Sequence, residues 1–183
     1  MGLFDFFKKK EKNTYDPTNI TLMDLQKGFV LEYDLKTWVV QEVYEYDWGD
    51  NYFSREYKMD SGDDTFFLHV EKDDELFLTI TKKIKVTMID EDLPEYLEEH
   101  EKAPKKIHYK NKTYYLDGNE NPGYFKDLSD PKKDWVEFIS WDYYDENDDE
   151  YIGIEQWGER EFEASAGQVV KEFEFSNILP GNE

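Results

Sequence analysis

Residues 53–71 read FSREYKMDSGDDTFFLHVE, and residues 139–155 read ISWDYYDENDDEYIGIE. Each stretch opens on an acidic residue followed by Tyr, Glu56-Tyr57 in the first and Asp142-Tyr143 in the second. An acidic, turn-forming loop follows, and then an apolar run that ends in an aliphatic residue and Glu, Val70-Glu71 and Ile154-Glu155. Short runs rich in Phe, Val, Ile and Tyr on either side of Asp/Gly/Ser punctuation are the signature of β-hairpins. Two such hairpins of similar pattern, far apart in the chain, predict an internal duplication with one β unit in each half.

The neighbouring segments have the same texture. FVLEYD and TWVVQEVYEYDW precede the first copy, with the uneven alternation of a strand that carries a bulge. LFLTITKKIKV follows it, and KIHYKNKTYYL, GYFKDL, EFEAS and VVKEFEF surround the second. TLMDLQKG, closing on Gly28, predicts a helical turn, and NILPGNE a frayed polar tail. EDLPEYLEEHEKAP has Pro94 in a first helical turn and Pro104 beyond the end, so it predicts a helix. The expected fold is mainly β and antiparallel. It has two similar curled-sheet or barrel-like units joined by a short connecting helix. The division runs 1–20 for an N-terminal arm, 21–90 for the first β unit, 91–105 for the connector and 106–183 for the second, with the two units packed as one globular body.

Composition narrows the function classes. The 183 residues carry 22 Lys and Arg against 44 Asp and Glu, a net charge of -22, and the mean hydropathy is -0.91. Such a surface repels nucleic acid and anionic lipid, whose binders need basic patches. Disorder is argued against by 17% aromatic residues, because each aromatic side chain buries a large area. There is no Cys, so disulfides, thiolate metal sites and a Cys nucleophile are excluded, and the balance leans toward a cytoplasmic protein. No Gly-rich phosphate loop occurs, and no cofactor is expected.

The first twelve residues, MGLFDFFKKKEK, stand apart, with two acidic against four basic side chains. Leu3, Phe4, Phe6 and Phe7 followed by Lys8, Lys9 and Lys10 form a small amphipathic arm suited to docking on a protein or the inner membrane face. Asp145, Asn147 and Asp149 fall at alternate positions, as at the start of a calcium loop. Glu150 replaces the Gly at the sixth position and Gln156 the Glu at the twelfth, which leaves them weak metal candidates. His69, His100 and His108 fall in no catalytic motif, and no catalytic residue is assigned. Glu71 and Glu155 hold matching places in the two copies, so they serve as paired acid and base only if the fold brings them together. The five Trp (38, 48, 135, 141 and 157) are read as core.

The stretches KGFVLEYDLKTWVVQEVYEYD, REYKM, FFLHVE and YIGIEQWGEREFEASAGQVV resemble a bacterial family known as domain of unknown function 4178. Its members carry a Trp-Val entry strand, a Glu-Tyr strand, an aromatic-Leu-x-Val-Glu strand and a late Ile-Glu-x-Trp before Phe-Glu-Ala. The resemblance spans residues 22–179. It implies a structural role for Trp38, Tyr57 and Glu71 and brings no activity with it. The functional expectation is a non-enzymatic interaction or adaptor module with an unidentified protein partner. The alternatives are an immunity or inhibitor protein for a basic partner, and a small-ligand binder or enzyme using carboxylates and aromatics in a groove between the units.

Overall fold

The computed structural model describes residues 15–181; the arm residues Leu3 to Lys10 lie outside them. β1 (Val30–Tyr33) turns into the long β2 (Lys36–Asp47), which is followed by β3 (Phe53–Asp60), β4 (Thr65–Lys72) and β5 (Leu76–Ile84). A 3₁₀ turn (Val86–Met88), helix α1 (Leu93–His100) and the hairpin β6 (Lys106–Tyr109) and β7 (Lys112–Leu116) come next. The second half contains β8 (Asn121–Asp127), β9 (Val136–Tyr144), β10 (Glu150–Gln156), β11 (Phe162–Val170) and β12 (Ser176–Leu179). The two similar stretches, 53–71 and 139–155, are the hairpins β3–β4 and β9–β10.

β2 to β5 form one antiparallel meander and β8 to β11 another. Each meander alone would leave two strand edges with unpaired backbone groups. The halves satisfy one another: Tyr44–Asp47 of β2 pair with Tyr124–Asp127 of β8, and Leu78–Ile84 of β5 pair with Ala164–Val170 of β11. The result is one closed barrel of eight antiparallel strands. This corrects the expectation of two barrel-like units: neither half closes by itself, because within the barrel the outer partners of β2 and β5 are β8 and β11 of the other half. β2 extends past the barrel, and its register slips between Val40 and Glu42, the bulge that its uneven alternation predicted.

The apolar core lies outside the barrel wall. Side chains alternate across a strand, and on β4 it is Phe66, Leu68 and Val70 that enter a large apolar cluster, while His69 and Glu71 face the lumen. That outer cluster joins Tyr57, Met59 and Leu78 to Leu22, Leu25, Leu31 and Phe175, so the 3₁₀ turn at Leu22–Asp24, β1 and the segment around β12 cover the first half of the wall. A second cluster joins Trp141, Tyr143, Ile152 and Ile154 to Leu93, Leu97, Ile107 and Tyr114, so α1 and the β6–β7 hairpin cover the other half. Burial of each such side chain contributes about 1.5–3 kcal/mol.

Helix α1 is shorter than the predicted segment, but Leu93 and Leu97, four residues apart, give it the buried face that seats it on the wall. It ends at Glu101, in the left-handed conformation at φ 51°. The C-terminal stretch departs from the frayed tail that its composition predicted. Ser176–Leu179 is a strand paired with β1, and Ile178 packs on the first cluster. Backbone pairing and one apolar side chain outweigh the polar character of its neighbours. Among the described residues no helix is long and apolar enough to cross a membrane.

Candidate functional site

The hairpins β3–β4 and β9–β10 share the same register, and it places their polar residues in the lumen. Ser54 faces Glu71 and Glu56 faces His69 across the first pair; Ser140 faces Glu155 and Asp142 faces Gly153 across the second. Thr79 and Thr81 from β5 and Ser165 from β11 complete the polar lining, and Tyr46, Tyr144 and Tyr151 add phenol rings. The space they enclose offers about 70 Å³ to water, enough for several waters or one slim organic group. Eight-stranded barrels lie at the size where a lumen is either filled by side chains or holds one small ligand.

One flank of the lumen is filled by aromatics. Tyr46 stacks on Trp48 (5.6 Å between ring centres) and meets Phe125 and Phe138 edge-on, while Phe138 stacks on Trp157 at 4.9 Å. The five tryptophans, read as core from the sequence, are divided by the structure. Trp38 and Trp141 are buried in the outer clusters, Trp48 lines the lumen, Trp157 packs against Phe125 and Phe138, and Trp135 is exposed beneath the ammonium of Lys126.

The remaining lumen is acidic. The Tyr46 hydroxyl donates to Glu56 Oε1 at 3.2 Å. The Tyr151 hydroxyl and the Asn121 amide donate to the two oxygens of Asp142, at 2.6 and 2.9 Å. The Tyr52 hydroxyl donates to Glu71. Lys83 is the cation of this wall: its ammonium donates to Glu163 at 2.8 Å and lies 3.4 Å from Glu155. Protein surrounds Glu56, Asp142 and Glu155, so ionisation of these three is poorly solvated. Burial pushes Glu56 up to about 7, opposed by Lys83 and reinforced by Glu155. Burial also raises Asp142, against the bonds from Tyr151 and Asn121. It raises Glu155 against the pull of Lys83. Burial alone lowers His69 to about 4, leaving a neutral imidazole at neutral pH. For Lys83 burial opposes the charge, but Glu155, Glu56 and Glu163 more than offset it and raise the ammonium above its ordinary value.

Gly153 is what lets Tyr151 fold across the lumen. A Cβ there would lie 2.6 Å from the Tyr151 hydroxyl and 3.2 Å from Ser165 Oγ. Ser140, only 4% exposed, also faces this space, and its hydroxyl has no hydrogen-bond partner. Buried hydroxyls are normally partnered, and this one faces the open space of the lumen.

The residues singled out from sequence divide. Glu71 and Glu155 do line one cavity. Asp145 closes the β9–β10 turn: its Oδ1 accepts the backbone N–H groups of Asp149 and Glu150 at 2.9 and 3.0 Å. Partial burial opposes the Asp145 charge, but these N–H groups hold its carboxyl below the usual range. Asn147 and Asp149 are exposed on the same turn. Among the described residues no three His, Asp or Glu side chains converge as metal ligands. His100 packs on Tyr96 at the end of α1, with Nδ1 3.0 Å from the Tyr96 carbonyl oxygen, and His108 is exposed on β6 beside Thr113. In the sequence His69 falls in no catalytic motif, and Tyr46, Ser140 and Tyr151 were not among the candidate site residues. Their signal is the alternating polar pattern Ser54-x-Glu56, His69-x-Glu71, Thr79-x-Thr81 and Ser140-x-Asp142, which reads as a solvent face until the barrel closes around it.

The comparisons with known proteins agree with this single-barrel extent. A protein of Aquifex aeolicus (strain VF5), described as uncharacterised, is 30% identical over 175 residues, which cover 96% of this chain and 94% of that one. No solved structure matches. The family model described as Domain of unknown function (DUF4178) matches residues 26–172, from the approach to β1 through the whole barrel to the end of β11, and the chain belongs to that family.

Proposed function

We propose that this chain is a ligand-binding β-barrel that receives a small polar molecule in its lumen. The observation that carries the reading is the buried, unpartnered hydroxyl of Ser140 facing a cavity lined with carboxyl and phenol groups. A lumen kept only for packing is lined by apolar side chains throughout; here the aliphatic side chains sit on the opposite face of the wall, and the lumen sets carboxyls, hydroxyls and phenols beside its aromatic flank. A fragment screen by two-dimensional NMR tests it. Polar fragments are expected to shift the backbone amides of Ser140, Thr79, Thr81 and Ser165. A library that shifts only surface amides overturns the reading.

The adaptor role belongs to Leu3, Phe4, Phe6, Phe7 and Lys8 to Lys10, outside the described residues. It is a separate proposal, and deletion of residues 1–12 tests it by loss of co-purifying protein or of membrane association with the barrel still folded. The shared register of β3–β4 and β9–β10 supports a further proposal, that both meanders descend from one duplicated unit.

A further inference from the structure

We infer that the lumen ligand is a slim organic cation, a primary alkylammonium, seated with its charged head among the carboxyls and its chain against the aromatic rings. This rests on the ligand-binding reading above and names the chemistry of the guest.

Charge balance is the first argument. Glu56, Glu71, Asp142 and Glu155 all line the cavity. Lys83 is committed to Glu163 and Glu155. Asp142 is held by a phenol and an amide, and Glu71 by a phenol, which are neutral donors. A weakly screened space with this excess of negative charge favours a guest that supplies positive charge together with hydrogen-bond donors. An ammonium head brings three donors and one charge. The Ser140 hydroxyl, buried and without a partner at the same cavity, supplies a neutral acceptor for one of them.

The walls select an organic cation over a metal ion. The rings of Tyr46, Trp48, Phe77, Tyr144 and Tyr151 line the same cavity, and ring faces attract ammonium groups while also packing against methylene chains. A divalent ion needs several converging oxygen ligands, and among the described residues no such group occurs.

The approach is also built for a cation. Phe77 and Tyr144 meet edge-on at 6.1 Å, and both line the lumen and an outer groove as well. The other walls of that groove carry Asp117, Asp145, Glu146 and Asp148. An acidic vestibule raises the local concentration of cations at the mouth and repels anions.

Titration of the full chain with n-butylammonium chloride, followed by NMR amide shifts and calorimetry, tests the inference. n-Butanol, sodium butyrate and calcium chloride, at matched ionic strength for the salts, are the comparisons. Butylammonium is expected to shift the amides of Ser140, Asp142 and Gly153 and to bind at least tenfold more tightly than butanol, with butyrate not binding. Asp142→Asn is expected to weaken butylammonium at least tenfold, and Glu56→Gln to weaken it severalfold, so a folding defect in one leaves the other. Butanol or butyrate shifting those lumen amides as strongly as butylammonium overturns the ammonium assignment and leaves the ligand-binding reading standing. Calcium acting alone at these amides does the same. No lumen shift with any probe, in a chain whose fragment screen also fails, removes both.

Discussion

The two faces of the barrel wall are built from the same strands and obey opposite chemistry. On β4, Leu68 and Val70 are fully buried against Leu22, Leu25 and Leu31 outside the wall, while His69 and Glu71 between and beyond them line the lumen. On β10, Ile152 and Ile154 pack beneath α1 while Tyr151 and Glu155 turn inward. The outer face therefore holds the molecule together, and the inner face is free to carry charge and an unpartnered hydroxyl. Stability and the site are separated by one residue of register, which also means that a slip of one residue would exchange them.

Truncation of the outer face is expected to have the largest effect. Ile152→Ala, at a fully buried position, is expected to destabilise by about 2–5 kcal/mol, read by urea denaturation. Truncations in the lumen matching that loss would show that the inner face is a core as well.

The second test uses charge. Glu56 has an ordinary value of 4.5 and is pushed up to about 7 by burial, with Glu155 and Glu163 adding to the rise and Lys83 opposing it. The Tyr46 hydroxyl and His69 complete its surroundings. Below about pH 4.5 the carboxyl is protonated in both folded and unfolded chains. Between pH 4.5 and 7 the unfolded chain releases the proton that the folded chain keeps, so this group makes stability fall as pH rises, with the full penalty above 7. Glu56→Gln is therefore expected to be more stable than the parent at pH 8, by at most about 3 kcal/mol. The advantage should disappear near pH 4.5. Denaturation curves at both pH values decide it, and a variant less stable at pH 8 would place Glu56 among the groups that hold the fold.

Gly153→Ala probes the inner face without changing charge. The new methyl meets the Tyr151 hydroxyl, and displacing that phenol from Asp142 is expected to remove one hydrogen bond, a loss of about 1 kcal/mol, together with a shift of the Asp142 titration in NMR. The smallest effect belongs to Ser140→Ala. Its hydroxyl has no partner to lose, so stability should change by under about 1 kcal/mol, in the stabilising direction, as read by thermal melting. A clear destabilisation would mean the hydroxyl is already satisfied within the fold.

Much of the wall was legible in the chain. The acidic turn at Asp60–Asp64 reads directly as a hairpin, and Gly62 at φ 90° takes a conformation that other residues resist. The helix at Leu93–His100 follows from Pro94 and the spacing of Leu93 and Leu97, and the bulge in β2 from its broken alternation. The site was harder to see. Glu71 and Glu155 drew notice through the repeat, yet their convergence depends on β3, β4, β9 and β10 standing on opposite sides of one lumen. Ser140 is marked only by the alternation Ser140-x-Asp142, which reads as a solvent face in an open strand.

The antiparallel β character and the acidic hairpins were already written in the chain. Those are local properties, set by turn chemistry and by the period of two. Which side is the inside is a property of the closed barrel alone. The strand period is the same for both faces, and curvature becomes definite only when β2 bonds β8 and β5 bonds β11. Those pairings join residues from opposite halves of the chain. They turn the polar face inward to make the acidic lumen and leave the apolar face to be covered by α1, β1 and the C-terminal strand.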